Sequence, residues 1–172
     1  MQVSLNLPFG LGGVSGTWEA DEAEQEAAWE MYVELVTRVA IVELRRDEGL
    51  LREALSSLYG LFGTTREILR RHGPSVARPK GKGTYSFGRL AVIILNDVLR
   101  PLLATWHPLL QEWEATRPAG VSQVEHERLW PRYAEFRAAL SDVQETLRQY
   151  ADSLARVADV PALGGPPDGA PA

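Results

Sequence analysis

Residues 2–16 read QVSLNLPFGLGGVSG, and whether this stretch joins a sheet or lies beside helices decides the fold class. Its first six residues alternate polar and apolar, the period of a β-strand. From Pro8 onward, Gly10, Gly12, Gly13 and Gly16 accumulate as they do in turns and loops. If everything that follows is helical, a lone strand has no partner within the chain. The reading is an extended Gly-rich N-terminal arm over residues 1–20, lying along a helical body or pairing with another protein or a second copy. Leu5, Leu7 and Phe9 supply its apolar side chains. Trp18, of a residue type enriched at binding hot spots, is the expected anchor. GLGGVSG is not a dinucleotide fingerprint, because Ser15 stands where the third glycine belongs. Nor is it a nucleophile elbow, because Thr17 replaces the closing glycine.

Outward from the arm, helical periodicity dominates. Asp21 with Glu24 three residues on forms a capping-box start. Ala28, Trp29, Tyr32, Val33, Val36, Val39 and Ala40 continue as one apolar stripe, with an end expected between 42 and 46. A second helix is expected from near Asp47 to the stop RRHGP at 70–74. Residues 74–86 form a loop holding both lysines. A third helix runs from about Ser86 to Thr116, kinked or divided at Pro101 and Pro108, each of which removes an i→i−4 bond. Ser122 with Glu125 caps a fourth, which Trp130–Pro131 divides early. Beyond that, Leu129, Tyr133, Phe136, Leu140, Val143, Leu147, Tyr150, Leu154 and Val157 alternate spacings of four and three, as in knobs-into-holes packing. The tail PALGGPPDGAPA has a disordered composition. The fold class read from this pattern is all-α: an antiparallel four-helix bundle over 21–158, with a kinked third helix, an extended arm before it and a disordered tail over 159–172.

Composition narrows the function classes. A net charge of −5 argues against nucleic acid as a partner, since such binders usually carry a basic face. There is no cysteine, which removes disulfides, thiolate nucleophiles and cysteine metal sites and fits a cytoplasmic location. Sixteen of the eighteen basic residues are Arg, spread evenly enough to read as coding bias of a GC-rich genome. MQVSLNLPFG lacks the basic and apolar regions of a secretory signal. The most apolar stretch, residues 87–114, is interrupted by Asp97 and Arg100 and so is a buried helix rather than a membrane span.

No motif carries chemistry. PKGKGT at 79–84 lacks the first glycine of a phosphate loop and the Ser or Thr after Lys82. His72, His107 and His126 have Leu69, Ala104 and Gln123 three residues before them, so the Glu-x-x-His pairs of di-iron bundles are missing. No metal and no cofactor is expected. The best polar constellation is Asn96, Asp97, Arg100 and His107 around Pro101. Asp97 and Arg100 are spaced to pair on a helix, either as a buried ion pair or as a pocket in which Arg100 holds a small anion. A weaker cluster, Arg70, Arg71, Arg78, Lys80 and Lys82, is a candidate polyanion contact. The preferred reading is a non-catalytic protein that binds another protein or a second copy of itself, as an adaptor or accessory subunit. The alternative is a ligand-sensing or enzymatic bundle with its site at the Pro101 kink.

Overall fold

The structure, a computed structural model, describes residues 2–9, 12–38 and 49–162. It is not all-α. Two strands, β1 (Gln2–Phe9) and β2 (Gly12–Glu19), pair antiparallel from Gln2↔Glu19 to Phe9↔Gly12, and β3 (Thr84–Tyr85) pairs parallel to β2. The sheet order is β1-β2-β3. The expected lone arm is therefore half of a hairpin, and its partner is the Gly-rich segment read as loop. Glycine is depleted in strands on average, but two glycines of β2 stand where a side chain has no room. A Cβ on Gly16 would lie 2.4 Å from the Gly83 carbonyl oxygen and 2.8 Å from the Tyr85 ring. Gly13 has φ +153°, and a Cβ there would lie 2.6 Å from the Leu7 carbonyl oxygen.

The alternation seen in β1 continues across the register. Val3, Leu5 and Leu7 oppose Trp18, Gly16 and Val14, and all the side chains on this face are buried. They join one core with the helices rather than forming a separate arm. The helical elements are α1 (Glu22–Val36), α2 (Leu51–His72), α3 (Phe87–Ile93), α4 (Arg100–Glu114), α5 (Gln123–Arg128) and α6 (Tyr133–Val157), with a 3₁₀ turn at Gly73–Ala77. The Asp21–Glu24 capping box is present. α1 stops at Val36, before the expected 42–46, where the Thr37 hydroxyl donates to the Val33 carbonyl at 2.7 Å. The expected start of α2 at Asp47 lies outside the described residues, and so do residues 163–172 of the expected tail.

The third expected helix runs from Phe87 to Glu114, and its irregularity is a π segment, Ile94–Leu99, between α3 and α4. The Arg100 N–H bonds the Leu95 carbonyl, five residues back. The wider register puts Pro101 in the first turn of α4, where a missing N–H costs little. The heptad stripe of α6 faces inward: Phe136, Leu140, Leu147, Tyr150, Leu154 and Val157 are buried. Trp106 of α4 stacks on Phe136 at 4.9 Å and meets Trp130 edge-on at 5.9 Å. The stripe thus serves this chain's own core, and only Leu129 at its start is well exposed.

One helix start is capped from a distance. Leu50 precedes α2 with no side-chain cap, and buried Glu127 of α5 accepts the Leu51 N–H at 2.9 Å instead. Burial pushes the Glu127 carboxyl above its usual range, against the downward pull of the Leu51 and Arg52 N–H groups. A carboxyl raised in the folded state stabilises most below its unfolded value, about 4.3, and loses that contribution as pH climbs through the folded value. Glu127→Gln keeps an acceptor without the buried charge. Its melting temperature at pH 7 is expected to equal or exceed the wild type's, and part of the decline between pH 4 and 7 should vanish. Glu127→Ala is expected to lose about 1–2 kcal/mol with the cap. Thermal melts of both variants across that pH range check this.

Candidate functional site

The free edge of the sheet can be read from two hydrogen bonds. The Thr17 N–H donates to the Gly83 carbonyl at 3.0 Å, on the β3 side of β2. Thr17 opposes Ser4, so this is a pair in which neither residue bonds the other across the ladder. The backbone N–H and C=O of Ser4 therefore point away from β2. By the two-residue period, those of Gln2, Asn6 and Pro8 do the same. The second bond agrees: the Pro8 carbonyl accepts the Thr146 hydroxyl of α6 at 3.1 Å. Pro8 has no N–H to offer an edge, and Thr146 covers its carbonyl. Ser4 and Asn6 keep both groups on the open side.

That open side faces a groove along α6. At one end a cleft of about 570 Å³ is lined by Ser4, Leu5 and Asn6 of β1 and by Gln149, Asp152, Ser153 and Arg156 of α6. At the other a cleft of about 600 Å³ has an apolar lining that includes Phe9, Pro101, Leu102, Trp106 and Val143. Both volumes fall in the range of ligand clefts, roughly 300–1,000 Å³. Gln149 lines both, and Pro8 and Thr146, bonded across from β1 to α6, line the second. From Ala139 to Arg156 the two clefts together span about 26 Å of α6, a length an extended chain covers in about eight residues. The Gln149 side chain donates to Glu145 at 2.9 Å, while its buried Oε1 has no partner. The lining offers backbone donors and acceptors, apolar surface and charged rims.

The charged rim is uneven. Asp97, Asp142 and Glu145 border the apolar cleft, which no Arg or Lys lines. Glu145 is held by Arg148 at 2.9 Å, its carboxyl lowered by the hydrogen bonds of Gln149 and Arg148. Asp97 and Asp142 form no ion pair among the described residues. Arg156 stands at the far end, its guanidinium on the Ser153 hydroxyl at 3.2 Å.

The residues singled out from sequence are dispersed. Trp18, Leu5 and Leu7 are buried in the core, so their side chains are not surface anchors; of that set, Leu5 lines the first cleft and Phe9 the second. Asn96, Asp97 and Arg100 are exposed. The π register sets Arg100 against Asn96, with bonds of 3.1 and 2.8 Å, rather than against Asp97. Arg100 also lies over the Phe62 ring of α2 at 5.5 Å, while Asp97 borders the cleft beside α6. His107 faces α2, its Nδ1 2.9 Å from an Arg52 nitrogen. Arginine only donates, so Nδ1 accepts and the ring is neutral, its pKa lowered first by burial and then by Arg52. The four residues therefore do not converge on an anion.

The three histidines occupy separate surroundings: His72 bonds Glu30, His107 meets Arg52, and His126 stacks on Trp113 at 4.5 Å. In the basic cluster, Lys80 is ion-paired with buried Glu24 and Arg71 with Glu30, and Arg70, Arg78 and Lys82 are exposed cations with no ion pair among the described residues.

Sequence reading missed Thr146, Gln149, Asp142 and Asp152. Their signal is a polar line on α6 beside the apolar stripe, at 142, 145, 149, 152 and 156, which reads as an ordinary solvated face until the sheet edge is placed against it. Among the described residues no helix is long and apolar enough to cross a membrane. The fold and groove define the class: a mixed α/β protein with a three-stranded sheet whose outer edge opens beside a long helix. Compared with protein-family models, curated proteins and solved structures, the chain matches none.

Proposed function

We infer that the protein binds another polypeptide, taken in extended form as an added strand along β1 in the groove beside α6. The observation that carries this reading is the outward-facing backbone of Ser4 and Asn6 on a lined groove. Main-chain bonding at such an edge supplies affinity, and side-chain pockets along the added strand supply selectivity. Exposed edges are usually blunted, and here Pro8 and Thr146 close one end only. The role is that of an adaptor or accessory subunit, and the cysteine-free composition fits a cytoplasmic setting. A small anion at Pro101 is the weaker reading, because the cleft there is bordered by carboxylates and excludes Arg100 and His107.

Asn6→Pro tests the proposal. Proline is tolerated on an edge where the N–H points away from the ladder, so the variant is expected to melt close to the wild type. Phage carrying random octapeptides are selected on each immobilised protein. Enrichment on the wild type and its loss on folded Asn6→Pro is the expected result. No enrichment on the wild type, or the same peptides on both, overturns strand addition.

A further inference from the structure

We propose that the groove selects a positively charged strand: a segment that places a large apolar side chain in the Trp106 cleft and a Lys or Arg within a few residues of it. This rests on the strand-addition reading and adds the chemistry of the occupant. The cleft beside Pro101 is apolar at its floor, where Val98, Leu102 and Trp106 are nearly buried, and Phe9 and Val143 form its partly exposed walls. That combination takes an aliphatic or aromatic anchor.

The charged residues that line the cleft are all acidic, while Arg132, outside that lining, lies over the Trp106 ring at 4.6 Å. Asp97 comes from the π segment and Asp142 and Glu145 from α6, with no cation lining the cleft. Glu145 is already neutralised by Arg148, which leaves Asp97 and Asp142 as the two carboxylates a ligand cation meets. Asp97 is free because the π turn gives Arg100 to Asn96. Successive strand residues point to opposite sides, so an anchor aimed into the cleft sends its neighbours toward the rim. The net charge of −5 favours encounter with a basic partner over any distance that salt leaves unscreened. A second copy of this chain is a poorer occupant: the outward side chains of its own edge strand are Gln2, Ser4 and Asn6, none of them basic.

The octapeptide selection is repeated on wild type and on the double variant Asp97→Asn, Asp142→Asn. Both positions are exposed, so the variant is expected to fold. Expected on the wild type is a consensus with an apolar residue and a Lys or Arg one to three positions away. A synthetic consensus peptide should bind the double variant about three- to tenfold more weakly. The wild-type affinity for that peptide should also fall between 0.05 and 0.5 M salt, whereas a glutamine version of it should bind both proteins equally. Enrichment of neutral or acidic sequences overturns the charge preference and leaves strand addition standing. No enrichment at all overturns both. A concentration-dependent dimer that blocks peptide capture identifies a second copy as the occupant and overturns the proposal.

Discussion

Trp18→Ala is expected to destabilise the protein by about 3–5 kcal/mol, the range for truncating a large aromatic in a packed core. Read as part of an arm, the same change would spare folding and remove a binding anchor; the structure reverses that expectation. Trp18 has no exposed surface, pairs in register with Val3 on one side and Tyr85 on the other, and lies 6.2 Å from Phe87. It is where the sheet, the loop before α3 and the start of α3 meet. Losses of this size are a large share of the 5–15 kcal/mol typical of whole domains, and the melting temperature should drop by about 10 °C or more. Its Nε1 has no hydrogen-bond partner, so Trp18→Phe keeps most of the packing, discards an unpaired donor and should cost well under half as much. Urea unfolding of both variants decides the matter. A Trp18→Ala protein within about 1 kcal/mol of the wild type would show that the residue does not sit in the core as described.

The second large effect is expected at Glu24, which has no exposed surface. Its carboxylate accepts the Phe87 N–H at 2.9 Å and the Asp21 N–H at 3.3 Å, and is ion-paired with Lys80, whose ammonium also donates to the Glu19 carbonyl. One side chain thus ties the start of α1, the loop after the 3₁₀ turn and the start of α3. Glu24→Ala leaves the buried Phe87 N–H without its acceptor and the Lys80 ammonium with only the Glu19 carbonyl and Asp21, 3.7 Å away, and is expected to cost about 3–5 kcal/mol. Lys80→Met leaves the carboxylate with neutral donors only and should cost less. The double change Glu24→Gln, Lys80→Met should recover part of the loss, because it removes both charges together. Additive losses in the double variant would show that the two groups do not interact.

These two sites mark where local pattern and three-dimensional arrangement part. The Asp21–Glu24 capping box was legible because its two residues are three apart and their bonds close within one turn. That the same carboxylate also caps α3 and anchors Lys80 depends on residues about sixty positions away, and no local period encodes that. Glu127 and α2 repeat the lesson: a helix without a local cap takes its acceptor from α5. The Asp97–Arg100 pair failed for a different reason. Its spacing assumed α geometry, and the π segment ahead of Pro101 changes which residues stand over one another.

By itself the sequence determined the alternation of β1, the helical stretches, the inward stripe of α6 and the caps at Asp21 and Ser122, because each is a short-range matter of period and hydrogen bonding. Glycine hid the second strand: its lack of a side chain reads locally as freedom, while in β2 it answers to crowding by Gly83 and Tyr85 from a distant part of the chain. The tertiary structure alone decided that Trp18 is core, that the polar line of α6 faces a sheet edge and that Ser4 and Asn6 turn their backbones toward it. Burial and edge exposure are set by which elements pack together, and that choice rests on the summed apolar contacts of the whole chain rather than on any one segment of it.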